Sequence, residues 1–245
     1  MKILALETST EYCSVALWQD GEVVEHCELV GQKHSELLIS MIDALLRETS
    51  VAINQLEGIA YGSGPGSFTG VRIACGATQG LALGANLPVA GICTLLALAE
   101  AAGHPRVIAA LDARMGEIYC AAYQRSGEDW ITVYEPGLCK PEDAPSVQGR
   151  DWFGAGSGFA AHVDALQQRY AGQLSGVNGA AVPQAAAIAV LGAAQFALGG
   201  GVDAAKAQPL YLRDKVALKT AEREQIALEK SLLNGKPQTV NGKLE

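Results

Sequence analysis

Two rhythms of apolar positions run along the chain. Segments 2–6 and 13–19 are apolar runs of strand length, and 22–29 follows them after Asp20-Gly21, a dipeptide suited to a two-residue hairpin turn. Between 35 and 48 the period changes, with Leu37, Leu38, Met41, Ile42, Leu45 and Leu46 falling at helical spacing. Segment 58–61 reads as a buried strand. Gly62-Ser63-Gly64-Pro65-Gly66 reads as neither helix nor strand, and Ser67 is suited to cap a helix running to 85. A short strand at 88–92 and a helix at 94–102 complete the order β-β-β-α-β-α-β-α. That order predicts a mixed sheet with helices packed on it, because parallel strands need helical crossovers. Residues 1–103 are assigned to a first domain on this ground.

From Arg106 the pattern restarts with strands at 107–111, 118–123, 130–133 and 152–154, a helix at 159–170 and an apolar helix at 184–198. Pro136, Pro141 and Pro145 predict an irregular stretch over 136–149. The fold class is therefore α/β, with a second, smaller and irregular domain over 104–220. Residues 221–245 form a C-terminal extension whose last part, beyond Leu233, has little apolar content and is expected to fray.

Composition narrows the function classes. With 245 residues, 49% of them hydrophobic and 18% charged, the chain has material for one large or two small cores. No apolar run approaches the roughly 20 residues that span a bilayer, and Met1-Lys2 opens directly into a strand rather than a signal peptide. A cytoplasmic protein with no membrane contact is expected. Six cysteines without a CxxC pair suggest reduced, buried thiols. A net charge of −8 with no run of Lys or Arg argues against a primary nucleic-acid binder, since phosphate contacts need clustered cations.

Three loops could face a phosphate. Glu7-Thr8-Ser9-Thr10 offers hydroxyls (Thr8, Ser9) after the first strand, though its local chemistry reads more readily as an ordinary polar hairpin turn. Gly62 to Gly66 feeds a helix N-terminus, where free N–H groups and the helix dipole favour an anion; Gly64 and Gly66 would line it, or else serve a tight turn. It matches neither a Walker loop nor GxGxxG. Gly154, Gly156 and Gly158 form a third, weaker loop. Within the helix at 67–85, Gly76, Gly80 and Gly84 recur every fourth residue beside Ala74 and Ala77, a stripe that invites close approach by the chain's own sheet or by another subunit. His26, His34, His104 and His162 include no pair at helical spacing, so no metal site is expected. Ser67, His34 and Asp112 could be assembled into a triad on paper only, for there is no nucleophile-elbow pattern.

LETS at 6–9, GPGSFTGVRI at 64–73, DARMGEIY at 112–119 and PLYLR at 209–213 together resemble the TsaB (YeaZ) family over nearly the whole chain. The resemblance implies two related actin-like, ribonuclease H-like α/β domains of the actin, sugar kinase and Hsp70 superfamily. It implies a non-catalytic subunit that serves formation of N6-threonylcarbamoyladenosine at position 37 of tRNAs reading codons that start with A. Its implied partners are the paralogue TsaD and the ATPase TsaE, or a second copy when alone, with tRNA reached only indirectly. In one register, the HxxxH metal motif of TsaD falls on Cys93 and Ala97, which cannot replace two imidazoles. No catalytic residue and no cofactor are then expected of the isolated chain, ATP being used by the complex, and the phosphate loops would be vestigial. The family's docking bundle maps to helices 35–48 and 67–85, with Leu38, Met41, Leu45, Val71, Ala74, Gly76 and Gly80 as interface candidates. Two other readings are an autonomous nucleotide-dependent phospho- or carbamoyl-transferase of the same superfamily and a peptidase-like hydrolase.

Overall fold

A computed structural model describes residues 1–213, of which 1–212 form one compact unit holding two five-stranded sheets. In the first sheet, β1 (Lys2–Glu7), β2 (Tyr12–Gln19) and β3 (Glu22–Leu29) are an antiparallel meander, and β4 (Gly58–Gly64) and β5 (Val89–Cys93) add parallel to β1, in the order β3-β2-β1-β4-β5. The β2–β3 turn is the expected one: Asp20 and Gly21 take φ of 49° and 99°, the positive values that a twist-matched two-residue hairpin needs.

The second sheet repeats this plan. Strands β6 (Arg106–Arg114), β7 (Glu117–Ser126) and β8 (Asp129–Cys139) form the antiparallel half, and β9 (Trp152–Ala155) and β10 (Leu174–Asn178) extend it in parallel, in the order β10-β9-β6-β7-β8. Each sheet thus has the same order, three antiparallel strands followed by two parallel ones.

Helices α1 (His34–Glu48) and α2 (Phe68–Ala85) share one face of the first sheet, where Leu38, Met41, Leu45, Ala74 and Cys75 join Leu4, Leu6 and Ile59 in one cluster. Ser67 caps α2 as expected, its Oγ accepting the Gly70 amide at 3.2 Å, and Asn86 closes the helix in the left-handed conformation. Helix α3 (Thr94–Ala102) is shared, with Ala97 facing the first sheet's other core while Leu95, Leu98 and Ala99 pack with Val107 and Ala109 of β6.

Several expectations are corrected. β4 does not stop at Tyr61 but continues through Gly64, because β5 goes on pairing with it after the β1 pairing has ended, Gly62 opposite Ile92 and Gly64 opposite Cys93 with a register shift between them. β8 runs on through Pro136, since proline, which has no N–H to donate, is tolerated on an edge strand and here sits beside the register shift in the pairing with β7. The helix expected at 159–170 breaks at His162 (φ −132°, ψ 49°) into α4 (Ser157–Ala161) and α5 (Val163–Arg169), and β10 was not expected at all.

The helix expected at 184–198, α6 (Ala185–Ala197), follows the second sheet in sequence yet packs on the first. Its small residues allow this: a Cβ on Gly192 would lie 2.5 Å from that of Ala60 in β4. Its N-terminal amides are capped from a distance, Ala185 N donating to Ser14 Oγ at 2.9 Å and Ala186 N to Glu25 Oε1 at 2.8 Å. Cys13, Cys75 and Cys120 are buried thiols, whereas Cys27 is exposed on the edge strand β3. No helix among the described residues is long and apolar enough to cross a membrane. The extension at 221–245 lies outside the described residues.

Candidate functional site

Two of the three sequence-identified loops meet at the C-terminal ends of β1 and β4, and they meet as packed backbone. Ser67 N donates to Ser9 O at 2.7 Å, and Thr8 Oγ1 donates to Gly70 O at 2.7 Å. A Cβ on Gly70 would fall 1.9 Å from Thr8 O, and one on Gly66 2.6 Å from Ser9 O. These two glycines are therefore explained by the approach of the loop to the β1–β2 turn. Gly64 takes φ of 109° and precedes a cis Pro65. Beneath the junction, Glu7 is 1% exposed; its Oε1 accepts the Ser9 amide at 2.5 Å, while Oε2 and the Ser9 hydroxyl complete no hydrogen bond of ordinary geometry. Gly62 makes room for this carboxylate, since a Cβ there would sit 1.8 Å from Oε2. Burial pushes the Glu7 pKa above the usual carboxylate range, with hydrogen bonding around Ser9 pulling the other way.

The third loop is likewise occupied by its own neighbours. Gly154 lies against the Phe159 ring, and Gly156 and Gly158 against Ala110 of β6. Ser157 Oγ accepts the Asp112 amide at 3.1 Å, and the Asp112 carboxylate accepts Arg114 N and pairs with its guanidinium. His162 Nε2 is 3.7 Å from that carboxylate. The residues of the paper triad go to separate partners: Ser67 Oγ to Gly70 N, His34 Nε2 to Tyr12 O, and Asp112 to Arg114.

The outward face of α1 and α2 is a different kind of surface. Gly76, Gly80 and Gly84 are exposed, and a Cβ built on any of them would meet no described atom within 4 Å. The stripe is therefore not explained by the chain's own sheet. Leu83 on the same helix and Ile39 on α1 are 65% and 56% exposed. The other interface candidates need correction, because Leu38, Met41, Leu45, Val71 and Ala74 are all buried in the chain's own core. Of the six apolar positions of α1 that gave it helical period, Leu38, Met41, Ile42 and Leu45 are buried in the chain's own core and Leu37 and Leu46 are half-buried against it. Ile39 fell outside that period, and Leu83 lies on α2, where no apolar period was singled out.

A family model described as TsaD: tRNA N6-adenosine threonylcarbamoyltransferase matches residues 26–221. The chain is 40% identical to the tRNA threonylcarbamoyladenosine biosynthesis protein TsaB of Escherichia coli, over 89% of this chain and 97% of that protein. It is 37% identical to the TsaB of Haemophilus influenzae, over 89% and 96%. The chain belongs to the TsaB family. A solved structure, YeaZ from Pseudomonas aeruginosa, superposes with a TM-score of 0.81 at 39% identity, covering 86% of this chain and 99% of that one. The paired sheets of this TsaB-family chain are accordingly of the actin-like type, as the resemblance implied.

Cys93 and Ala97, the positions on which the HxxxH motif would fall in the register considered above, can be placed in the fold. Cys93 ends β5, its Sγ 3.7 Å from the Tyr123 hydroxyl and its thiol pKa raised by burial, and Ala97 lies fully buried on α3. Among the described residues no group of three His, Cys, Asp or Glu side chains is arranged to hold a metal. Two family motifs far apart in sequence converge. Residues of PLYLR run across the end of β4, with Leu210 N donating to Ser63 O at 2.7 Å, and Tyr211 reaches the first turn of α2.

Proposed function

We propose that this chain is an accessory, non-catalytic subunit for N6-threonylcarbamoyladenosine formation at position 37 of tRNAs reading codons that start with A. It docks on a TsaD-type partner, with TsaE joining the pair and ATP consumed by the complex; alone, it pairs with a second copy. Membership in the TsaB family supports the pathway. The observation that supports docking is the outward face of α2, where a Cβ on any of three glycines would meet no other described residue, with exposed Leu83 on the same helix and Ile39 on α1. Each interior glycine costs a helix about 1 kcal/mol against alanine, and no contact among the described residues accounts for it. A partner backbone laid into the groove would account for it.

The phosphate loops support the same reading. At the β1–β4 junction and after β9 the glycines are filled by the chain's own atoms, and a buried carboxylate lies beneath the first junction. The net charge of −8 leaves tRNA to the partner.

The test is gel filtration and calorimetry with TsaD from the same organism. Gly80→Leu fills the open groove and is expected to weaken the complex at least tenfold while the isolated variant keeps its circular dichroism spectrum. Undiminished binding by the folded variant would show that TsaD docks elsewhere.

A further inference from the structure

At the N-terminal end of the glycine-striped face, the guanidinium of Arg72 lies 3.2 Å over the centroid of the Phe68 ring and 4.8 Å from that of Tyr211. The two rings are 6.4 Å apart, and both are about half exposed. Nη1 donates to Phe68 O at 2.9 Å, and no carboxylate among the described residues forms an ion pair with Arg72. A surface arginine ordinarily moves freely and loses rotamer entropy when it is bound. This one is already held, by Phe68 from its own helix and by Tyr211 from a segment some 140 residues away.

That segment is firmly anchored. Tyr61 Oη donates to Gln208 O at 3.1 Å and accepts Gln208 N at 2.9 Å, Leu210 N donates to Ser63 O, and Gln79 Nε2 donates to Ala207 O at 3.1 Å. The strap joins β4 and α2 and delivers one aromatic ring to one arginine. With one Nη1 hydrogen given to Phe68 O, the guanidinium has further N–H groups to offer an outside acceptor, and its fork of donors suits an oxyanion.

We infer that Phe68, Arg72 and Tyr211 form a preorganised anchor that takes a carboxylate of the TsaD-type partner at the end of the α2 docking face. The inference rests on the docking reading above. Arg72 lies four residues before Gly76 and eight before Gly80, so it continues the outward face of the same helix. A carboxylate is favoured over a nucleic-acid phosphate because the chain is net −8 and one arginine is not a phosphate-tracking stripe. Arginine and tyrosine are also the residues in which binding energy of protein interfaces concentrates.

Calorimetry with TsaD tests this with Arg72→Ala, Arg72→Lys and Tyr211→Leu, each checked by a thermal melt. Arg72→Ala is expected to weaken binding about thirtyfold, the scale of an interface hot spot. Arg72→Lys, which keeps the charge but not the stacked fork, and Tyr211→Leu, which keeps the charge but removes a ring, should each fall between wild type and Arg72→Ala. The wild-type complex should also weaken more steeply with added salt than the Arg72→Ala complex. If Gly80→Leu abolishes binding while folded Arg72→Ala binds within twofold of wild type, docking stands and the anchor is overturned. If wild type itself fails to bind TsaD, the docking reading is what fails. Loss of tRNA retention on filters by Arg72→Ala, with TsaD affinity unchanged, would overturn the carboxylate assignment.

Discussion

Glu7 sits where the sequence suggested a phosphate-facing turn, and its environment is that of a core residue. A carboxylate with one oxygen unpartnered and burial as the leading influence on its pKa is held nearer its neutral form than in the unfolded chain. A raised folded pKa means that the group imposes no penalty below the unfolded value near 4.5, where both states are protonated. Stability is lost as the pH rises through the folded value, because the unfolded chain ionises more readily. Glu7→Gln, which keeps an oxygen for the Ser9 amide, is therefore expected to melt above wild type at neutral pH. The two curves should converge as the pH falls toward 4.5. Glu25 is shifted in the same direction by burial but is present in both proteins, so it cancels in the difference. A Gln variant that melts lower at neutral pH would show that the Glu7 charge is stabilised by something other than the contacts described. The role of Gly62 was illegible in the sequence because its need comes from a side chain 55 positions away, whereas Asp20-Gly21 was legible because the hairpin requirement is local.

At the scale of elements, α1 was legible from its period and α2 from its Ser67 cap, nearly to the residue, but Leu38, Met41, Leu45, Val71 and Ala74 proved to lie on the faces buried within the chain. An apolar stripe shows which side of a helix is buried. It does not show whether its own sheet or a partner buries it. Met41 shows the consequence: it is 6% exposed within the chain, so Met41→Glu would place a charge in the core at a cost of about 3 kcal/mol or more. It is expected to lower the melting temperature strongly, whether or not a partner is present. Ile39→Glu, on the exposed side of the same helix, should leave the melt within the small range usual for surface changes. If Met41→Glu melts like wild type and Ile39→Glu does not, the placement of α1 on the sheet is wrong. The glycine stripe was visible in the sequence, but only the open space above it separates an outward surface from tight internal packing.

At the scale of the whole molecule, each sheet carries three antiparallel strands and two parallel additions, and the first half of that plan could be read from the order of elements. The second half was harder to read. Its strand β10 has only five residues and is mostly exposed, and α6 leaves its own half to cover the first sheet. Such a return is a long-range packing event. Its local signals, an alanine-rich run and a distant pair of caps from Ser14 and Glu25, do not name the sheet it will meet.

The molecule so assembled presents an outward helix face lined by glycines, and its phosphate loops are filled by their own neighbours, an arrangement that suits the proposed action through TsaD. Reconstituted threonylcarbamoyl transfer to tRNA, with TsaD and TsaE added or withheld, tests this most directly. The chain alone is expected to give no product, and addition of the chain to TsaD and TsaE is expected to raise product formation until a one-to-one ratio with TsaD is reached. Transfer by the chain alone, in proportion to its concentration and undiminished in Gly80→Leu, would contradict the account.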